Sequence, residues 1–370
     1  MKTQTKLVGP IISSVMVLIL AVAGFVSFSH ANADRVAHEI ITIHGIVGSE
    51  KQSFFEDQIV KDEFRKKGID IQVTAQGSRE EATTATKDGA DFYFPAGEPA
   101  GRAISQKLGI KNASTPFYTP MVIASWDTIA KTLAANGIAE KRNNYWYIVH
   151  MNKMLNLIDS GKRWNQLPHN ADYDVSKSIQ ISSTDVRKSN SAGMYLALAS
   201  YTFNGNNIVT TPEQTRKIQN KLNGIFLNQG FQETSSAGPF EDYVMIGKGK
   251  APLVICYEQQ YIEYLAATPE DQRPKGMIIL YPKPTIFTKH TIVPTDDSGN
   301  KVAELLSNDT VLIQAEIRHG FRNGNLTETH DFWSKNKINL PTDIQDVIEA
   351  PSFQTIESMI KGIDDAFSHQ

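Results

Sequence analysis

Residues 181–201, ISSTDVRKSNSAGMYLALASY, place Ser182, Ser183, Thr184, Asp185, Ser189, Asn190 and Ser191 within ten positions, just ahead of an apolar run. Hydroxyl and amide groups at that density can donate and accept hydrogen bonds without carrying a full charge. A helix cap needs one such group, so the surplus belongs either to a polar loop or to a small ligand. Three shorter stretches have related chemistry: GSEK at 48–51, QGSR at 76–79 and YEQQ at 257–260. Gly48 and Gly77 allow close approach to the backbone, and Ser49 and Ser78 add hydroxyls. Arg79 adds a cation, and Tyr257 and Glu258 add a phenol and a carboxylate. Taken singly, each Gly-Ser pair also reads as a plain helix cap, and Tyr257 and Glu258 as a strand reaching solvent. The loop charges have both signs. Lys51, Arg79, Arg187 and Lys188 suit an anion, while Glu50, Asp185 and Glu258 suit an amine or a metal. Uncharged donors at helix starts suit a compact oxyanion, which favours a small anion.

Enzymatic signatures are missing from the chain. HEIITIH at 38–44 spaces its histidines six apart rather than four, so it is not a zinc-protease motif. There is no Gly-x-Ser-x-Gly elbow and no Walker-type phosphate loop. The nine histidines are dispersed, without ligand spacing beside a carboxylate or thiolate. No catalytic residue, metal ligand or cofactor is therefore assigned. A hydrolase built on Ser189 or Ser191 stays as a minor alternative.

The elements that must hold these loops alternate. EIITIHGIV at 39–47 reads as a strand, followed by a helix from Ser49 to Gly68 with Ser49 and Gln52 as a capping box. IDIQVTA is a second strand, Ser78 with Glu81 opens a second helix, and ADFYF is a third strand. Further on, 116–126 reads as a strand, 144–161 as a helix, SIQISS at 178–183 as a strand and 192–203 as a helix. Thr211 and Pro212 start another helix, and APLVICY and GMIILYPKPTIF are later strands. The segments 301–320 and 342–367 have helical spacing, the second interrupted by Pro351. Strand, loop and capped helix in repetition imply parallel sheets with crossover helices, with ligands at the strand ends. The expected fold is α/β, with two Rossmann-like lobes, a cleft between them and an apolar N-terminal helix. Residues 36–125 form the first lobe, 126–284 the second, and 285–370 return to the first, with crossing segments near Pro120 and Pro282.

The 370 residues carry a net charge of −3 and no long basic run, which argues against a nucleic-acid partner. Lys2 and Lys6 precede an uncharged run, 11–28, and Ala31-Asn32-Ala33 has the form of a signal cleavage site. Residues 1–33 are thus a signal peptide or a membrane anchor, and both readings place the rest outside the cytoplasm. Cys256 is the single cysteine, in a strand pattern that suggests an inert core position.

The central segment 160–201, with Gly161, Trp164, Leu167, SIQISS, SNSAG and MYLALASY, resembles the bacterial extracytoplasmic solute-binding proteins of the periplasmic type 2 class. The stretches 48–78, 251–261, 279–294 and 302–322, the last ending in Gly320, Phe321 and Arg322, are similar to that family in order and spacing. The resemblance implies two lobes on a two-strand hinge that close on a small-molecule solute, which is passed to an ABC-type permease in the inner membrane. It assigns ligand contact to the four loops: Gly48, Ser49, Gly77, Ser78, Arg79, Ser183, Thr184, Asp185, Ser189, Asn190, Ser191, Tyr257 and Glu258. The long apolar leader leaves a second reading: a membrane-tethered sensor or assembly module on the same fold.

Overall fold

The computed structural model describes residues 40–230 and 232–369. The leader and expected apolar helix, residues 1–33, lie outside the described residues. The chain opens with β1 (Ile41–Val47), which buries Ile43, Gly45 and Val47 in strict alternation. A 3-10 turn, Ser49–Lys51, leads into α1 (Gln52–Glu56) and α2 (Gln58–Lys66). The single helix expected here is broken at Asp57. Its backbone is extended (φ −57, ψ 128), and its carboxylate caps α2 by accepting from the Ile59 amide at 2.6 Å. The Ser49 capping box does not form either, because Gly48 is the N-cap.

There follow β2 (Ile69–Ala75), α3 (Ser78–Thr84), β3 (Phe92–Phe94), α4 (Glu98–Leu108), β4 (Ser114–Trp126) and α5 (Asp127–Ala135). Next come β5 (Ala139–Arg142), β6 (Tyr145–Ile148) and α6 (Met151–Asp159). The expected helix over 144–161 begins as a strand, because Asn143 and Asn144 adopt positive φ and turn the chain into a hairpin. SIQISS reduces to two isolated bridges, Ser178 to Arg163 and Ser182 to Val254 of β7.

The chain continues through α7 (Asn190–Phe203), α8 (Pro212–Leu227), α9 (Ala237–Met245), β7 (Leu253–Tyr257), α10 (Glu258–Ala267), β8 (Met277–Pro282) and β9 (Thr285–Pro294). It ends with α11 (Asp297–Asn308), α12 (Thr310–Arg318), α13 (Leu326–Lys335), β10 (Val347–Ile348) and α14 (Phe353–Phe367). The expected C-terminal helical run is helical only after Pro351; before it, β10 pairs with β9.

The strand order is β2-β1-β3-β9-β4-β8-β6-β5, with β7 on β4. β1 pairs parallel with β2 and β3, as right-handed crossover helices require. β4 and β9 are the crossing strands. β4 pairs with β9 from Ser114 to Pro120, then with β7 and β8 from Met121 to Trp126. β9 reaches back to β3 through Val293 and Pro294. Pro120 marks the switch, where the strand passes from one set of neighbours to the other.

The core divides the same way. One cluster around Phe54, Phe64, Phe94, Phe117 and Phe321 packs on one face of the first sheet, and Tyr93, Ile104 and Val293 pack on the other. A larger cluster around Trp164, Tyr195, Leu222, Phe226 and Tyr243 fills the second half. The C-terminal segment departs from its expected return to the first lobe. β9, α11, α12 and Phe321 do pack there, but Trp333 and the Ile356, Met359, Ile360 and Ile363 stripe of α14 join the core of the second half. That stripe has i, i+3, i+4, i+7 spacing and lies against α8.

Candidate functional site

Loops from both halves meet along one seam. A Cβ on Gly77 would stand 2.7 Å from the Lys188 carbonyl oxygen, and one on Gly97 would stand 2.8 Å from Asn190 Oδ1. At Gly77 the near atom is backbone, so only glycine permits contact this close, while at Gly97 a Cβ would have to displace the Asn190 amide. Asn190 Nδ2 donates to the Tyr257 hydroxyl at 3.1 Å. Ser78 is buried, and its Oγ accepts from the Ala96 amide at 2.8 Å, tying the second loop to the third. Thr184, Ser191 and Ser189 form a hydroxyl chain at 2.9 and 3.0 Å where α7 begins. No side chain caps α7, and a Cβ on Gly193 would meet nothing within 4 Å, so space remains beside its first turn. α7 and α4 have 14 and 11 residues, against seven in α3, so the helix-end electrostatics of the seam come mainly from the longer pair.

The other expected contact residues have different positions. Gly48 is buried against the first turn and Ser49 is exposed. Ser183 bonds to Gln229 at 3.1 Å inside the second half. Asp185 holds Arg187 at 2.7 Å. Burial raises the Asp185 carboxyl, but the Arg187 hydrogen bonds outweigh it and keep the group below its usual value. Arg79 reaches Glu357 of α14 at 2.6 Å and donates to the Arg187 carbonyl. Glu258 is fully committed: it holds Arg322 through Nε at 2.5 Å and Nη2 at 2.8 Å, and it accepts from the Tyr281 hydroxyl.

Sequence reasoning missed a buried charged cluster beside the seam. The Lys51 side chain has no exposure, lies 4.7 Å above the Phe94 ring, pairs with Glu50 and sits 3.1 Å from His290 Nδ1. An ammonium only donates, so Nδ1 accepts and the proton is on Nε2, which has no partner. Burial, then Lys51, pushes His290 down to about 4, so the ring is neutral near pH 7. Burial works against the Glu50 charge, but Lys51 and His290 overcome it and bring Glu50 down to about 2. Glu81 is driven well above its usual value by burial, only partly offset by Lys51, and neither of its oxygens makes a hydrogen bond of normal geometry. Glu50 and Lys51 were visible as loop charges and Glu81 as a cap partner. His290 had no signal, because only the fold brings β9 to the first loop.

A cavity of about 540 Å³ adjoins the seam at Gly97, with walls from Glu98, Met194, Thr288, Lys289 and Phe353. Among the described residues, no group of three or more His, Cys, Asp and Glu is placed to hold a metal ion. Cys256 is buried and free.

No protein-family model matches the chain, and no curated relative matches it. Solved structures do. The periplasmic binding protein AfuA from Actinobacillus pleuropneumoniae, with fructose-6-phosphate bound, aligns at a TM-score of 0.53 and 11% identity over 88% of this chain and 98% of that one. The sulfate-binding protein SubI from Mycobacterium tuberculosis aligns at 0.48 and 13% identity over 88% and 98%. The ferric binding protein from Campylobacter jejuni aligns at 0.47 and 11% identity over 88% and 97%. The chain has the α/β fold of the periplasmic binding proteins.

Proposed function

We propose that the chain is an extracytoplasmic solute-binding protein that closes its two lobes on a small anion. Delivery would be to an ABC-type permease, with residues 1–33 acting as export signal or tether. The observation that carries this reading is the meeting of polar loops from both halves at Gly97, Asn190 and Tyr257, across two crossing strands. In that geometry a solute bridges the halves, and its binding energy drives closure. The contacts proposed are Gly48, Gly77, Ser78, Ser189, Asn190, Ser191 and Tyr257, with the uncapped start of α7 supplying amide donors. Ser183, Asp185 and Glu258 would hold the loops in place instead. The same fold in AfuA was solved with fructose-6-phosphate bound.

A thermal-shift screen against oxyanions, carboxylates, amino acids, sugars and divalent metals tests the reading. A ligand bound only by the folded state raises the melting temperature with the logarithm of its excess. One chemical class, oxyanions, should raise it, and Asn190→Ala should reduce the shift. A flat screen on well-folded protein would move the weight to a tethered module that binds a partner protein.

A further inference from the structure

We infer that Glu50 is a displaceable internal anion: its carboxylate stands where a solute oxyanion binds, and a solute must push it aside to enter. This rests on the proposed solute-binding reading and names the determinant of its specificity. Glu50 folds back over the first loop, so that a Cβ on Gly48 would meet its two oxygens at 2.5 and 2.6 Å. The bare glycine backbone, open to a ligand, is thus covered by the chain's own carboxylate. The Glu50 side chain is 5% exposed and lies between Lys51 and His290, the latter with Nδ1 at 3.3 Å. Across the seam, the Tyr257 ring stands 6.3 Å from the His290 ring, and its phenol is raised first by burial and then by the Glu50 charge.

Comparison with Glu258 separates a permanent counterion from a removable one. Both oxygens of Glu258 are held, by a two-pronged arginine and a tyrosine. Glu50 has only its chain neighbour Lys51 and the His290 ring, with Nδ1 at 3.3 Å, as side-chain partners among the described residues, and no guanidinium grips it. In the same buried cluster, both Glu81 oxygens and His290 Nε2 are without hydrogen-bond partners. When Glu50 swings out beside the exposed Ser49, the entering anion takes over Lys51.

A tethered competitor acts at high effective concentration. It therefore excludes ions that bind no better than itself. Monocarboxylates are rejected, and dianionic oxyanions with more acceptor oxygens are admitted.

The test is calorimetric titration of the full chain, wild type and Glu50→Gln, with inorganic phosphate, sulfate and acetate. Glu50→Gln should bind phosphate or sulfate at least tenfold tighter and acquire acetate binding that wild type lacks. Glu50→Asp, whose shorter arm reaches less far, should show the same direction and serves if the glutamine variant does not fold. Wild type binding these dianions with neither variant tighter would overturn the role of Glu50 and leave the solute-binding reading standing. No binding by any of the three folded proteins would overturn both.

Discussion

Buried carboxylates among the described residues differ in what surrounds them, and stability follows from that. Glu258 is paired on both oxygens with Arg322 and Tyr281, and Arg322 also donates to the carbonyls of Pro341 and Thr342 and covers the Trp333 ring. Breaking such a pair leaves an uncompensated buried cation, so Glu258→Gln should destabilise the fold by about 3–5 kcal/mol in urea unfolding. Glu316 is the opposite case. Burial lifts it to about 8, and Asn323, at 2.9 Å, is the one group that offsets the burial. Below pH 4.5 both folded and unfolded states hold the proton. Between 4.5 and 8 the unfolded chain releases it while the folded one keeps it, so stability falls as pH rises through that window. Glu316→Gln removes the titration. It should raise the urea midpoint little at pH 5 and by a few kcal/mol equivalent at pH 9, a difference equal midpoint gains at the two pH values would refute. At this scale the sequence shows which residues carry charge. It does not show that Glu258 is satisfied and Glu81 is not, because their partners lie on strands and helices far along the chain.

Among the elements, local chemistry decided some and tertiary pairing the others. Thr211 with Gln214 forms the capping box that the Thr-Pro start implies, and Gly68 ends α2 with φ 76. The aromatic run at 145–148 becomes a strand because β8 is there to pair with it, a fact no window of residues contains. Gln52 and Ser49 have the spacing of a capping box, yet Gly48 caps the turn and Glu50 covers it. The loop before α7 stands out in the sequence through its density of hydroxyls, and three of them do chain together there. The direction each one faces was not legible, since Ser183 turns inward to Gln229 while Asn190 turns to Tyr257. Gly97 is the element-level control. Gly97→Val would place atoms against Asn190 Oδ1, so it should leave the melting temperature of the free protein nearly unchanged and weaken solute binding about tenfold or more. Calorimetry with the class found in the screen measures both quantities.

The whole molecule is two cores joined by β4 and β9, with braces across the join. His319 sits between Asp57, at 3.0 Å, and Glu263 of α10, at 2.8 Å. At another edge, α14 packs its apolar stripe on the second core while Glu357 holds Arg79 of the first, and Asp364 holds Arg187 at 3.3 Å. Opening the seam must stretch the Arg79–Glu357 pair. Glu357→Ala should therefore enlarge the radius of gyration of the solute-free protein, or speed solute release, with little change in melting temperature, because the pair is partly exposed and worth under about 1 kcal/mol. The α/β plan was legible from the alternation of strands and capped helices, and Pro120 falls where β4 changes neighbours. The place of α14 was not, since an amphipathic stripe says that a face is buried but not against which core.

Closure on a solute is the central claim, and small-angle X-ray scattering with and without the stabilising oxyanion tests it most directly. The account predicts a contraction on adding the solute, with the bound profile matching this structure and the contraction lost in Gly97→Val. An identical profile with and without a bound solute, in wild type and variant alike, would contradict it.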